Sequence, residues 1–365
     1  MKQRLQQLIN WMQEKEMDVC FVSSKENVFY FSGFRSEPHE RLLGLLVFQQ
    51  SEPILICPAM EQNDVKNAGW EYEIIGYQDT ENPWDIIQQK IHQRLPKQPT
   101  WGIEKVHLNV ERYEEIMKRF PNVQFVSAEE KLRELRMIKD DQELAAIRKA
   151  AALADFAIET GVNAIYEGAT ELEIIATIEY ELKKKGVTEM SFSTMVLTGA
   201  NAASPHGTPG LTKIKKGDLV LFDLGVVYDG YCSDITRTVA FGDISEEQKA
   251  IYETVRKAEE TAVVATKPGV TASHLDQIAR QIIHEAGYGD FFPHRLGHGL
   301  GISVHEYPSI TSTNELTIQK GMVFTIEPGI YVPNVAGVRI EDDVYVTEDG
   351  VEVLTKYPKE LKIIE

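Results

Sequence analysis

An acid-bearing segment that occurs twice constrains this chain more than any other feature. Lys216-Gly217-Asp218-Leu219-Val220-Leu221-Phe222-Asp223-Leu224-Gly225 aligns without gaps on Lys320-Gly321-Met322-Val323-Phe324-Thr325-Ile326-Glu327-Pro328-Gly329, 104 residues further on. Each copy reads as a strand ending in an acid, then a turn and a returning strand with a second acid, Asp234 in one copy and Glu341 in the other. With Asp229-Gly230 as a two-residue turn, Tyr228 pairs with Tyr231 and Gly225 with Asp234, which puts Asp223 two residues along the same face. Asp and Glu are poor strand formers, and here they follow apolar runs that signal burial. A pseudo-twofold axis relating the two hairpins gathers all four carboxylates, and such a cluster persists only with cations to offset it.

Four histidines fall in or beside two stretches rich in Gly and Pro. His206 lies in Ser204-Pro205-His206-Gly207, and His294, His298 and His305 share the run from His294 to Glu306. Glycine lets backbone approach a ligand closely, and an imidazole among glycines can complete an oxygen-rich metal site or hold a substrate carbonyl. Four carboxylates and one His favour harder divalent ions, with Mn²⁺ first and Co²⁺, Fe²⁺ or Zn²⁺ as rivals. The number of acids implies two ions. A pair about 3.5 Å apart can acidify a shared water and stabilise the charge that develops as it attacks a carbonyl, the chemistry of metal-assisted hydrolysis.

The rest of the chain organises around this half. With 365 residues, it exceeds the size at which one core stops growing, so two domains are expected, an α/β unit over 1–130 and an α+β unit over 131–365 with the internal repeat. The texture changes between Ser127 and Asp140, where a helix start precedes an Ala-rich helix. A formal charge of −18 argues against nucleic acid and anionic membrane surfaces as partners. No apolar run approaches bilayer length, Met1–Gln7 has no apolar stretch of the secretory kind, and the three cysteines suit reduced thiols, so a cytoplasmic location is expected.

These residues resemble the pita-bread family of dinuclear metallopeptidases, most closely its Xaa-Pro dipeptidase (prolidase) and aminopeptidase P branch. The likeness rests on Leu-Phe-Asp-Leu-Gly, Ser-Asp-Ile-Thr-Arg-Thr, Gly-His-Gly-Leu-Gly, Ile-Glu-Pro-Gly and Val-Arg-Ile-Glu-Asp, and the first third looks like the N-terminal domain of prolidases and creatinase. It implies that Asp223, Asp234, His298, Glu327 and Glu341 are metal ligands, with Asp234 and Glu341 bridging. It implies further that Glu327 handles the proton of the attacking water. His206 and His305 then hold the scissile carbonyl and the tetrahedral intermediate, His294 lines the proline pocket, and Arg339 fixes Glu341 and Asp234 or the substrate.

The resemblance thus implies hydrolysis of the bond before proline in small proline-containing peptides by a homodimer. Xaa-Pro dipeptides are the first expectation, aminopeptidase P action on longer peptides the alternative, and a non-catalytic binding protein on the same fold a further one. One departure bears on the choice: some prolidases carry an Arg after His-Glu-x-Pro to read the dipeptide's carboxylate, whereas this chain has Ser309 after Pro308. The loop Ser36–Arg41 looks like one that caps a neighbouring subunit's site in some prolidases, and His39 or Arg41 could serve there instead. On that expectation Arg41→Ala shifts the relative efficiency on dipeptides and tripeptides, and an unchanged ratio in steady-state assays removes the idea.

Overall fold

Leu5, Leu8 and Met12 recur at helical spacing, and the first element is accordingly the helix α1 (Lys2–Glu14) with these three side chains buried. The structure is a computed structural model that describes residues 1–204 and 207–365, and the chain falls into two units, Met1–Arg136 and Met137–Glu365.

In the first unit β1 (Val19–Val22), α2 (Lys25–Ser32), β2 (Gly44–Phe48), β3 (Ile54–Pro58), α3 (Gln62–Asn67), β4 (Glu73–Tyr77), α4 (Pro83–Ile91), β5 (Thr100–Ile103), α5 (Val110–Arg119), β6 (Gln124–Ser127) and α6 (Glu129–Met137) follow in turn. The strands form one mixed sheet in the order β4-β3-β2-β1-β5-β6. Every residue of β1, β2 and β3 is buried, which is why these strands read as unbroken apolar runs instead of alternating ones. Helix α6 packs with this unit: Tyr30 donates to the Leu135 carbonyl at 2.8 Å, and Arg136 Nη1 donates to Asn27 Oδ1 at 3.0 Å.

The second unit opens with α7 (Asp141–Asn163), started by a capping box in which Asp140 accepts from Gln142 and Glu143 while Glu143 accepts from Asp140 N. Then come α8 (Glu171–Lys184), β7 (Met195–Thr198), β8 (Asp218–Leu224), β9 (Val227–Tyr228), β10 (Tyr231–Cys232), β11 (Ile235–Phe241), α9 (Glu246–Ala265) and α10 (Ala272–Glu285). The chain continues through β12 (Gly297–Gly299), β13 (Glu306–Ile310), β14 (Val323–Ile326), β15 (Gly329–Val332), β16 (Ala336–Arg339), β17 (Asp342–Val346), β18 (Val351–Val353) and β19 (Ile363–Ile364). One sheet runs β19-β11-β8-β7 and the other β13-β12-β14-β17-β18, with ribbons β9-β10 and β15-β16 extending the two central hairpins. Apolar side chains of α7 and α8 cover the first sheet, and those of α9 and α10 the second.

The registers show what the repeat builds. In the first hairpin Tyr228 faces Tyr231, Leu224 faces Ile235 and Asp223 faces Thr236, one continuous register through the Asp229-Gly230 turn. In the second, Val332 faces Ala336, Gly329 faces Arg339 and Ile326 faces Asp342, which sets Glu327 opposite Glu341. The second acids therefore occupy unequal places. Arg339 is the counterpart of Asp234, and Thr236 is the counterpart of Glu341. The two returning strands abut: Glu341 N donates to Thr236 O at 3.1 Å, and Thr238 Oγ1 donates to Arg339 O at 3.0 Å.

The Gly-rich run that carries His298 contains a short strand, β12, flanked on both sides. A Cβ on Gly297 would lie 1.8 Å from Thr325 O, and one on Gly299 would lie 2.3 Å from Tyr307 O. Only glycine permits these approaches, which press His298 between β13 and β14. Gly297→Ala should therefore destabilise the protein by about 1–3 kcal/mol or more through overpacking, read as a lower Tm in calorimetry. An unchanged Tm would contradict the close approach.

Candidate metal centre

Because side chains alternate along a strand, Asp234 and Thr236 share the face onto which Asp223 projects from the neighbouring strand. The abutting strand brings Glu341 to the same place, where Thr236 Oγ1 donates to Glu341 Oε2 at 2.6 Å. Ligand atoms of Asp234, His298 and Glu341 all lie within 4.8 Å of one another, and all three residues are buried. Glu327 Oε1 is 3.3 Å from His298 Nε2, and Asp234 Oδ2 is 3.7 Å from the same nitrogen. Asp223 joins the group through Arg339, whose Nη2 donates to its Oδ2. All five side chains expected as ligands thus converge.

Among the described residues Arg339 is the one guanidinium hydrogen-bonded to a carboxylate of this group. Besides Asp223 it donates through Nε to Thr236 Oγ1 at 3.0 Å and through Nη1 to the Tyr331 hydroxyl at 2.7 Å. Tyr331 in turn sits 3.0 Å from His294 Nε2, so the half-buried His294 connects to the acids through Tyr331 and Arg339. His305 is exposed, with its ring 4.1 Å from that of His298. Arg295 Nη1 donates to Ser309 Oγ at 3.4 Å, and its charge is felt at His298, His305 and Glu327. His206 lies outside the described residues. His39 and Arg41 belong to the first unit, where His39 adopts a positive φ of 54° and Arg41 grips Asp79 through two hydrogen bonds of 2.9 and 3.0 Å.

Burial sets the protonation states. It pushes the carboxyls of Asp234 and Glu341 well above their usual range, reinforced by neighbouring carboxylates, and brings Glu327 up to about 7. Burial, with the nearby His305 and Arg295, also lowers His298 to about 3, so its imidazole is neutral. Nδ1 faces the Gly299 carbonyl at 3.2 Å and takes the proton, which leaves the Nε2 lone pair aimed at Glu327 and Asp234. A neutral imidazole lone pair facing the carboxyl oxygens of two acids is an arrangement that a cation completes as those acids give up their protons.

A second observation points the same way. Asp234 Oδ1 is fully buried and has no hydrogen-bond donor among the described residues, while Asp234 N donates to Asp343 Oδ2 at 3.0 Å. An orphaned carboxylate oxygen at this depth is costly unless a cation takes it. The donor set, four carboxylates and one neutral imidazole, fits divalent ions of the harder kind.

Several contributors escaped the reading of the sequence. Thr236 was discoverable from strand alternation two residues beyond Asp234, and Arg295 as a charge inside the His-rich run. Tyr331 and Asp343 carry no signal that marks them in advance.

Residues 145–348 match the family described as metallopeptidase family M24, and residues 4–138 match the creatinase/prolidase N-terminal domain. The chain is 55% identical over 361 residues to a Bacillus subtilis (strain 168) protein named "Putative dipeptidase YkvY", covering 99% of both. It superposes on recombinant prolidase from Thermococcus sibiricus with a TM-score of 0.93 at 37% identity, over 100% of this chain and 99% of that one. On X-Pro aminopeptidase from Thermotoga maritima MSB8 the TM-score is 0.87 at 32% identity, over 96% and 98%.

The raised carboxyl values carry a sign. In protein stripped of metal by chelator, the folded state holds protons on Glu327, Asp234 and Glu341 that the unfolded chain has released. Stability is therefore fullest below the ordinary carboxylate range and falls as pH rises through about 7. The depressed His298 opposes this trend only below its ordinary value of 6.5. Calorimetry of the chelated protein should show Tm declining as pH is raised above about 6.5, and added Mn²⁺ should flatten the decline. A Tm that rises over that interval would contradict the gathering of these acids.

Proposed function

This chain belongs to metallopeptidase family M24, and from that premise we propose that it hydrolyses the peptide bond preceding proline, with Xaa-Pro dipeptides as its substrates. The observation that carries the reading is the gathering of Asp223, Asp234, His298, Glu327 and Glu341 in one cluster, in which the buried Asp234 Oδ1 has no donor among the described residues. These five side chains would hold two divalent ions, Mn²⁺ first, with Asp234 and Glu341 shared between them. When bound, such ions supply Lewis acidity toward a carbonyl and lower the pKa of a water into the neutral range.

The residues of this chain do the rest. Glu327 accepts a proton at its carboxylate, where Thr325 Oγ1 donates at 3.2 Å and orients it. His305, exposed beside His298, faces an incoming peptide and donates to its scissile carbonyl, together with His206. Arg339 and Tyr331 keep Asp223 and Thr236 in place, and His294, held by Tyr331, forms a wall of the proline pocket. Arg295 supplies the cation for a dipeptide's terminal carboxylate, since its guanidinium reaches Ser309, the position where some prolidases carry an Arg.

The protein acts as a cytoplasmic homodimer; among the described residues no helix is long and apolar enough to cross a membrane. His39 and Arg41 approach the partner subunit's site from the first unit. Ser309 itself favours the second reading, aminopeptidase P action on longer peptides, because it removes the cation that some prolidases place there.

The test is hydrolysis of Leu-Pro beside Leu-Pro-Gly by one preparation, stripped by chelator and reloaded with Mn²⁺. Metal-dependent cleavage of Leu-Pro is expected, and a preference for Leu-Pro-Gly would replace the dipeptidase reading with the aminopeptidase one. Asp234→Asn should abolish turnover while circular dichroism stays unchanged, and retained turnover would contradict the two-ion centre. Arg295→Ala should cut kcat/KM on Leu-Pro about 10- to 100-fold, as expected for loss of a hydrogen bond to a charged group, and affect Leu-Pro-Gly less.

A further inference from the structure

Behind the carboxylates lies a second cluster of charges that the chemistry above leaves unused. Residues 237 and 342 alternate with Thr236 and Glu341, so their side chains leave the opposite face of the same two abutting strands. Arg237 is 1% exposed, and its N–H groups are all engaged. Nη1 donates to the carbonyls of Thr236 at 2.9 Å and Glu341 at 2.6 Å. Nη2 donates to Asp342 Oδ1 at 2.6 Å and to Tyr357 O at 2.7 Å, and Nε donates to Tyr357 O at 2.9 Å. Asp342, fully buried, also accepts from Thr355 Oγ1 at 2.7 Å and pairs with Lys359 at 2.6 Å, and Lys359 reaches the buried Glu259 at 2.8 Å.

Two of these bonds land where the centre is most sensitive. Thr236 is the hydroxyl that holds Glu341, and Glu341 is an expected bridging ligand. One nitrogen of Arg237 holds the backbone of both, one from each hairpin, at the point where the hairpins meet. The carboxylates on the other face repel one another, and nothing in the hydrophobic packing of two separate hairpins sets their spacing to an ångström.

We propose that Arg237 and Asp342 are positioning residues that fix the separation of the two hairpins, and through it the affinity of the five-residue centre for divalent ions. The inference rests on the reading of that centre as a metal site. A planar fork with two partner carbonyls does this, whereas an ammonium of the same charge cannot span both with the same geometry. Support of this kind behind metal ligands is worth about 10- to 100-fold in affinity.

The experiment titrates the chelator-stripped full chain with Mn²⁺, following binding by calorimetry and by loss of the free-Mn²⁺ electron paramagnetic signal, with no activity assay involved. Arg237→Lys should raise the Kd for Mn²⁺ about 10- to 100-fold with an unchanged far-ultraviolet spectrum. Lys359→Met serves as the comparison, because it removes a cation from the same cluster without touching either strand carbonyl. It should lower Tm and leave the Kd near that of the wild type. Should Arg237→Lys fail to fold, Asp342→Asn carries the same expectation, since it keeps the shape and weakens the hold on Arg237. A Kd unchanged in the folded variant, or an equal loss in Lys359→Met, overturns the positioning role. Wild-type protein that binds no Mn²⁺ overturns the metal reading itself, and the inference with it.

Discussion

Everything in the second unit answers to one imbalance of charge. Asp223, Asp234, Glu327 and Glu341 stand close together at depth, and among the described residues a single guanidinium, Arg339, hydrogen-bonds to one of their carboxylates. Repulsion among buried carboxylates is large enough to move their pKa values by several units, and no gain from hydrophobic burial offsets it at the site itself. The fold holds the acids together by covalent continuity within two hairpins and by hydrogen bonds from Thr236, Thr325 and the Arg237 fork. His298 belongs to the same solution. Its neutral form adds a donor without adding charge, and the glycines on either side let it approach the acids closely.

How much of this was legible in the sequence follows from what kind of force places each residue. The hairpin acids were legible because strand periodicity and a two-residue turn determine a register, and the register determines a face. The Asp229-Gly230 turn carries that information for Asp223 and Asp234 without any tertiary knowledge. Glu341 was legible only as an acid after a turn. Its place opposite Glu327, one pair of positions out of step with the first hairpin, depends on an odd-numbered turn around Asn334 whose conformation composition does not reveal. The strand character of Gly297–Gly299 was hidden because three residues, two of them glycine, carry almost no strand propensity, and neighbouring backbones impose it. Arg237 was hidden for a different reason. Along a strand an arginine between two threonines reads as a solvent-facing residue, and only the meeting of β11 with β17 buries it. The polar loop from Ser36 to Arg41 was legible as a loop and no further. The first-unit partner of Arg41, Asp79, lies 38 residues away and is joined to it by no periodic pattern.

The broken symmetry of the repeat explains why a duplicated hairpin gives a directional site. Strict repetition would put an acid opposite Gly225 and another opposite Gly329. Instead Arg339 occupies the second of these places and turns back onto Asp223. One side of the cluster therefore holds a carboxylate already compensated by a guanidinium, itself fixed by Thr236 and Tyr331. The other side holds Glu327 and a neutral imidazole with no such partner. Charge density thus differs across the centre even though its backbone is nearly twofold. The exposed His305 stands beside that imidazole, and the charge of Arg295 is felt at Glu327 and at both histidines. A symmetric pair of hairpins supplies the scaffold, and a single step in register between Arg339 and Glu341 gives it a front and a back.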